Sequence, residues 1–250
     1  MTYDDDDEQL GRVLSRREAL VLLGGAAAVL LPGCGSSGKS TTAAQTTVTS
    51  SAATTAAAQV AAPACVVKPE VTEGPYFVDE KLNRSDIRPD PSGGAAADGV
   101  PLKLVFRVSR VASGGCTALS GATVDVWQCN ATGVYSDVSS NNSVGKKFLR
   151  GYQITDANGT ATFTTIYPGW YMGRTVHIHF KIRTSNKAFT SQLFFDEAVN
   201  DTVLAKAPYN SRGKRDTTNA RDGIYNSQLL LPVTVDGSGY AGTFDVGVQV

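Results

Sequence analysis

Alternation between apolar and polar residues narrows the choice of fold more than any other feature of this chain. Val176, Ile178, Phe180 and Ile182 fall on one face of an extended segment, and His177, His179 and Lys181 fall on the other. A period of two is the mark of a half-buried strand. The same period sets Leu102, Leu104, Phe106 and Val108 against Lys103, Arg107 and Ser109, and sets Val124, Val126 and Gln128 against Asp125, Trp127 and Cys129. Ala161 to Ile166 is rich in β-branched residues and follows the turn Asp156-Ala157-Asn158-Gly159. Leu229 to Val235, the turn Asp236-Gly237-Ser238-Gly239 and Tyr240 to Val250 read as a closing hairpin. Only Asp196 to Lys206 has a helical reading, stopped by Pro208. Tyr209 to Ile224 is polar, carries Arg212, Lys214, Arg215 and Arg221, and reads as a solvated loop. Many short strands, one short helix and long loops predict an all-β fold with a β-sandwich core.

The N-terminal quarter has a different character. Ser15-Arg16-Arg17 precedes the apolar stretch Ala19 to Leu31, which is too short to span a bilayer and resembles the core of a twin-arginine export signal. Leu31-Pro32-Gly33-Cys34 then resembles a lipoprotein cleavage box, with Cys34 as the lipidated residue and the anchor to a membrane. Residues 35–64 are mostly Ser, Thr and Ala and bury too little apolar surface to offset their ordering entropy, so they are expected to form a disordered stalk. The chain is therefore divided into a signal at 1–34, a linker at 35–64 and one domain at 65–250. It is expected outside the cytoplasm, either tethered at the cell surface or secreted. In an exported protein a pair of cysteines is expected to be bridged. Cys116 and Cys129 flank the turn Ser120-Gly121-Ala122 and form the expected pair, leaving Cys65 over. The chain has 23 basic and 23 acidic side chains, a balance that argues against nucleic acid as a partner.

Both histidines of the chain lie in His177-Ile178-His179. Residues i and i+2 of a strand share a face, so two imidazoles so placed can converge on one metal ion. The pair alone is equally compatible with two ordinary histidines. No carboxylate is near in sequence; Asp137, Asp156 and Asp196 are distant candidates. Tyrosines are closer, at Tyr135, Tyr152, Tyr167 and Tyr171. A phenol titrates near 10, so it binds only a cation acidic enough to remove its proton, and ferric iron is such a cation.

These residues lie within a longer series of motifs. Thr72-Glu73-Gly74-Pro75-Tyr76 is followed by Gly121 to Ser136, containing Val126-Trp127-Gln128-Cys129-Asn130-Ala131-Thr132-Gly133-Val134-Tyr135. Gly151 and Thr155 to Gly159 come next, then Pro168-Gly169-Trp170-Tyr171, the histidine pair, and Ser191-Gln192-Leu193-Phe194-Phe195. In this order the motifs resemble the intradiol ring-cleavage dioxygenases. The resemblance implies a β-sandwich and one non-haem Fe(III) per chain, held by Tyr135, Tyr171, His177 and His179. It implies a small catecholic substrate and O2, with a cis,cis-muconate-type dicarboxylate as product. It places Tyr171 as the ligand that takes a substrate proton, Arg174 against developing negative charge, and Gln192 as an orienting hydrogen-bond partner. Gly74, Pro75 and Tyr76 match a segment that lines the substrate pocket. Only Met172 to Val176 separate the second tyrosine from the first histidine, shorter than in the soluble enzymes, which implies a more open site. A long N-terminal helical dimerisation region has no room here, so the oligomeric state stays open. Two other readings compete: a non-catalytic β-sandwich that binds a metal or an aromatic ligand at the cell surface, and a zinc or copper hydrolase built on the histidine pair.

Overall fold

The structure is a computed structural model that describes residues 66–113 and 115–249. The signal, the linker, Cys34 and Cys65 lie outside the described residues.

Among the described residues nine strands and one α-helix follow in order: β1 Pro101–Ala112, β2 Gly115–Ala118, β3 Thr123–Trp127, β4 Arg150–Ile154, β5 Thr160–Ile166, β6 His177–Arg183, β7 Ala188–Phe194, α1 Glu197–Leu204, β8 Val233–Asp236 and β9 Gly239–Val248. They form two sheets. One has the order β2-β1-β9-β8, with β5 also paired to β1; the other has the order β4-β3-β6-β7. The long strand β1 is shared along one edge, where Pro101 to Arg107 pairs with β5 and Ser109 to Ala112 pairs with β2. Its other edge takes β9 in parallel.

The predicted alternation becomes the core between the sheets. Leu102, Leu104, Phe106 and Val108 of β1 turn inward, as do Ile178, Phe180 and Ile182 of β6. Phe106 packs against Phe163 and Phe244 from its own sheet and against Phe180 from the other, with ring centroids 5.1–6.2 Å apart. Burying a side chain of this size contributes about 1.5–3 kcal/mol, which is why both sheets present aromatic rings here.

The turn after β4 carries the chain from one sheet to the other. Asp156 accepts from the Asn158 and Thr160 backbone N–H groups. Gly159 has φ +72°, and a Cβ there would stand 2.2 Å from the Val108 carbonyl oxygen. Helix α1 begins at the predicted place, with Asp196 accepting from the Ala198 N–H as N-cap.

Two expectations need correction. Cys116 and Cys129 are not bridged: Cys129 is a free, buried thiol, and Cys116 is disulfide-bonded to another cysteine. Cys116 lies in β2 opposite Val111, in the five-stranded sheet. Cys129 follows β3 of the other sheet and packs with Trp127 and Tyr135, so the two sheets separate the pair. Burial pushes the Cys129 thiol up to about 12. The segment from Tyr209 to Ile224 is not a simple solvated loop either. Tyr209 is fully buried, and Asn219, Asp222 and Ile224 are buried as well. Tyr209 accepts from the Val100 N–H and donates to the Tyr167 carbonyl. Its polar groups face inward because each finds a partner there, and an alternation pattern does not register such pairing.

Candidate metal centre

The outward face of β6 carries His177 and His179, yet both are buried, with 2% and 1% exposure. Loops before and after the strands roof this face. In the ladder His179 stands opposite Trp127 of β3 on one side and Gln192 of β7 on the other. The Trp127 indole lies flat on the His179 ring, 5.0 Å between centroids and 10° between planes. The loop after β3 delivers Tyr135, whose backbone N–H donates to Asn141 Oδ1. A tight turn from Tyr171 to Arg174, closed by the Arg174 N–H on the Tyr171 carbonyl, delivers Tyr171. Gly173 takes φ +85° at the third position of that turn, where glycine is favoured.

Four donor atoms meet above the strand. His177 Nε2 lies 3.1 Å from His179 Nε2, 3.2 Å from Tyr171 Oη and 3.5 Å from Tyr135 Oη. Ligands bound to one first-row cation at about 2.0–2.1 Å have neighbours roughly 3.0–3.5 Å away, so this spacing suits a single ion. The His177 Nδ1–H donates to the Thr175 carbonyl over 2.7 Å, which leaves Nε2 with its lone pair toward the centre.

The electrostatics point the same way. Burial, then the Arg174 guanidinium, push the His177 imidazole down to about 3. His179 is pushed well below its usual value by burial, His177, Arg174 and Arg150. Both rings are therefore neutral near pH 7, the form that ligates metals. Burial, then Tyr171, push the Tyr135 phenol well above 10. Only a strongly charged ion offsets that cost and takes the phenolate. Among the described residues no group of three or more His, Cys, Asp or Glu side chains could hold a metal. Asp137 accepts from Gly145 N–H, Asp156 serves its turn and Asp196 caps α1, so the distant carboxylates are engaged elsewhere. The phenols are the anionic donors the site can offer, and that donor set fits a hard trivalent ion. Tyr167 belongs to a different environment, where its hydroxyl donates to Asn200.

Arg174 is buried beside this centre. Its Nε donates to Asp222 Oδ2 at 3.0 Å and its Nη2 to Gln192 Oε1 at 2.6 Å. Gln192 also donates to the Thr72 carbonyl, so it reaches the site through Arg174 and ties the arginine to the 72–76 segment. Gly74 has φ +68°, and a Cβ there would come 3.2 Å from His179 Cε1. Glycine thus lets this segment cross over the histidine. Pro75 is exposed, and Tyr76 stacks on Tyr135 at 4.5 Å and meets Tyr171 edge-on at 5.9 Å.

Two further residues escaped the sequence reading. Arg150 is 2% exposed and donates to the Ser136 and Tyr76 carbonyls and to Ser136 Oγ, clamping the loops that carry Tyr135 and Tyr76. Asp222 accepts from Arg174 and from the Thr175 N–H, so it holds the residue that orients His177. The only sequence signal for Arg150 was a charge beside Leu149 at the head of a strand. Asp222 was hidden inside a basic, polar stretch.

The fold and its side chains define a β-sandwich on which two phenols and two imidazoles meet. Comparison with known proteins adds that the sequence profile of a family described as "Dioxygenase" matches residues 72–215. An intradiol ring-cleavage dioxygenase from Tetranychus urticae is 31% identical, covers 74% of this chain and 95% of its own, and superposes with a TM-score of 0.66. The dioxygenase domain of a dioxygenase carbohydrate-binding protein fusion from Streptomyces sp. SirexAA-E is 31% identical, with 74% and 99% covered and a TM-score of 0.56. The match to a curated chlorocatechol 1,2-dioxygenase from Pseudomonas putida is 29% identical over 97 residues, 31% of this chain and 36% of that protein. The chain belongs to the intradiol ring-cleavage dioxygenases, a family of oxidoreductases.

Proposed function

We propose that this protein is an exported non-haem Fe(III) dioxygenase that cleaves catechol-type diols between the two hydroxylated carbons. Both atoms of O2 enter the product, a cis,cis-muconate-type dicarboxylate. The observation that carries this reading is the meeting of Tyr135 Oη, Tyr171 Oη, His177 Nε2 and His179 Nε2 at one point. These four side chains would hold one iron per chain. If bound there, Fe(III) would supply the Lewis acidity and one-electron redox character that make a catechol ring reactive toward O2.

The chain's own residues do the rest. Tyr171 is half-buried while Tyr135 is fully buried, so Tyr171 is the phenolate able to move and accept a substrate proton at Oη. Arg174 is held from two sides by Asp222 and Gln192, and a fixed guanidinium stabilises negative charge that grows on the substrate. Gly74, Pro75 and Tyr76 limit water over His179 and the tyrosines. Arg16-Arg17 and the apolar stretch after them support export by the twin-arginine route, and Cys34 is the proposed site of the lipid anchor. Oxygen uptake with catechol is the test. One O2 consumed per catechol, with a dicarboxylate formed, is expected; a stable catechol complex without uptake would favour a binding module.

A further inference from the structure

Cys116 in β2 is disulfide-bonded, and the chain has four cysteines, Cys34, Cys65, Cys116 and Cys129. Cys129 is free and buried, so within one chain the partner is Cys34 or Cys65. The sheet around Cys116 points to one of them. Cys116 stands opposite Val111 on β1. Gly247 of β9 allows a close approach beside Val111: a Cβ on it would stand 2.7 Å from Val111 Cγ2 and 3.2 Å from the Val66 carbonyl oxygen. The Gly247 N–H donates to that carbonyl at 2.7 Å, and Val67 forms a parallel bridge with Gly247. Val66 is thus seated next to the ladder that holds Cys116. A disulfide requires Cα atoms roughly 4.4–6.8 Å apart, and Cys65 is the cysteine whose next residue is seated here.

From Val66 the chain runs to the metal centre. Lys68 Nζ donates to the Gln228 carbonyl, the Pro69 carbonyl accepts from Ser191 Oγ, and the Val71 N–H donates to the Thr190 carbonyl on β7. The Thr72 carbonyl then accepts from Gln192, Gly74 passes over His179, and Tyr76 stacks on Tyr135. Residues 66–76 form a strap that leads from the five-stranded sheet to the edge of the other sheet and on to the roof over the imidazoles. Its outer end is lightly held, with Val66 38% and Val67 52% exposed.

We propose that Cys65 and Cys116 form a disulfide that fastens this strap, and with it the roof of the centre, once the chain is in an oxidising compartment. This rests on the export proposed above. The two thiols give up two protons and two electrons. The disulfide of an exchange partner takes them up and leaves as two thiols, so one S–S bond forms and one breaks. Cys34 is excluded because its sulfur carries the proposed lipid thioether. The bridge ties down the least-held part of the strap and restricts local opening that runs inward from Val66 toward Tyr76.

Two measurements test this. The purified full chain is oxidised with glutathione disulfide, its remaining thiols are alkylated, and it is digested without reduction. Mass spectrometry should find a peptide pair joining Cys65 to Cys116, with Cys129 alkylated after denaturation. Cys116 joined to Cys34 or to a second chain, or alkylated as a thiol, overturns the proposal. Oxidation in vitro closes the bridge wherever cells place the chain, so a failure of export and a failure of the pairing are told apart. Hydrogen exchange then reads the strap. Protected amides within 66–76 should exchange about tenfold faster or more in Cys65→Ser, in Cys116→Ser and in wild type reduced with dithiothreitol. The double variant should be no faster than either single one, dithiothreitol should add nothing to any variant, and β3 and β6 should keep their protection. Exchange in 66–76 that is indifferent to reduction and to both substitutions overturns the fastening role, as does equal acceleration throughout β3 and β6.

Discussion

Two aromatic clusters lie on opposite faces of the four-stranded sheet, and they are built differently. The inner cluster, Phe106, Phe163, Phe180 and Phe244, is pure hydrocarbon packed between sheets. The outer cluster, Trp127, Tyr135, Tyr76 and Tyr171, surrounds two buried imidazoles and leaves Trp127 Nε1 and His179 Nδ1 without a hydrogen-bond partner among the described residues. Buried polar atoms of that kind cost free energy. The inner face of β6 therefore supplies stability, and the outer face gives some of it up to hold a reactive centre. One strand serves both because alternate residues point opposite ways.

The largest expected effect separates the two faces. Phe180→Ala should lose about 3–5 kcal/mol of stability, read by chemical denaturation. His179→Ala should cost the iron-free protein clearly less while abolishing iron binding. Equal losses of stability would erase the distinction between the faces. Next, Arg174→Lys should retain iron and lower kcat by roughly 10²-fold, because the forked geometry on Asp222 and Gln192 is lost; steady-state oxygen uptake checks this.

Asp222 gives a smaller, pH-dependent effect. Burial pushes its carboxyl up, but Arg174 and the Thr175 and Ile224 N–H donors more than offset that, leaving it below its usual 3.8. A carboxyl depressed on folding contributes stability that is present above the usual value and is lost as pH falls through the lower, folded one. Asp222→Asn should therefore be less stable than the wild type at pH 7, and the gap should narrow below about pH 4. Denaturation midpoints across that range measure it. The smallest effect belongs to the surface. The Arg107–Asp245 pair on the five-stranded sheet is partly exposed, and Arg107→Ala should cost no more than about 1 kcal/mol.

The same contrast explains what was readable in the chain. Leu102 to Val108 and Val176 to Ile182 announce strands because burial on one face leaves a period of two. That the histidine pair meets Tyr135 and Tyr171 was readable from residue type and order along the chain. Arg150 and Asp222 were not, since each acts by bonding to groups far away in sequence: Tyr76 and Ser136 for one, Arg174 and Thr175 for the other. The cysteine pairing failed for a related reason. Nearness in sequence put Cys116 beside Cys129, but the chain crosses from one sheet to the other between them.

The most direct measurement is the iron content and visible spectrum of the purified protein beside Tyr135→Phe and Tyr171→Phe. One iron per chain is expected in the wild type, with a tyrosinate-to-ferric band that colours it wine-red and that weakens or vanishes when either phenol is removed. A colourless wild-type protein that takes up no iron, or a band indifferent to both substitutions, would contradict the four-ligand centre.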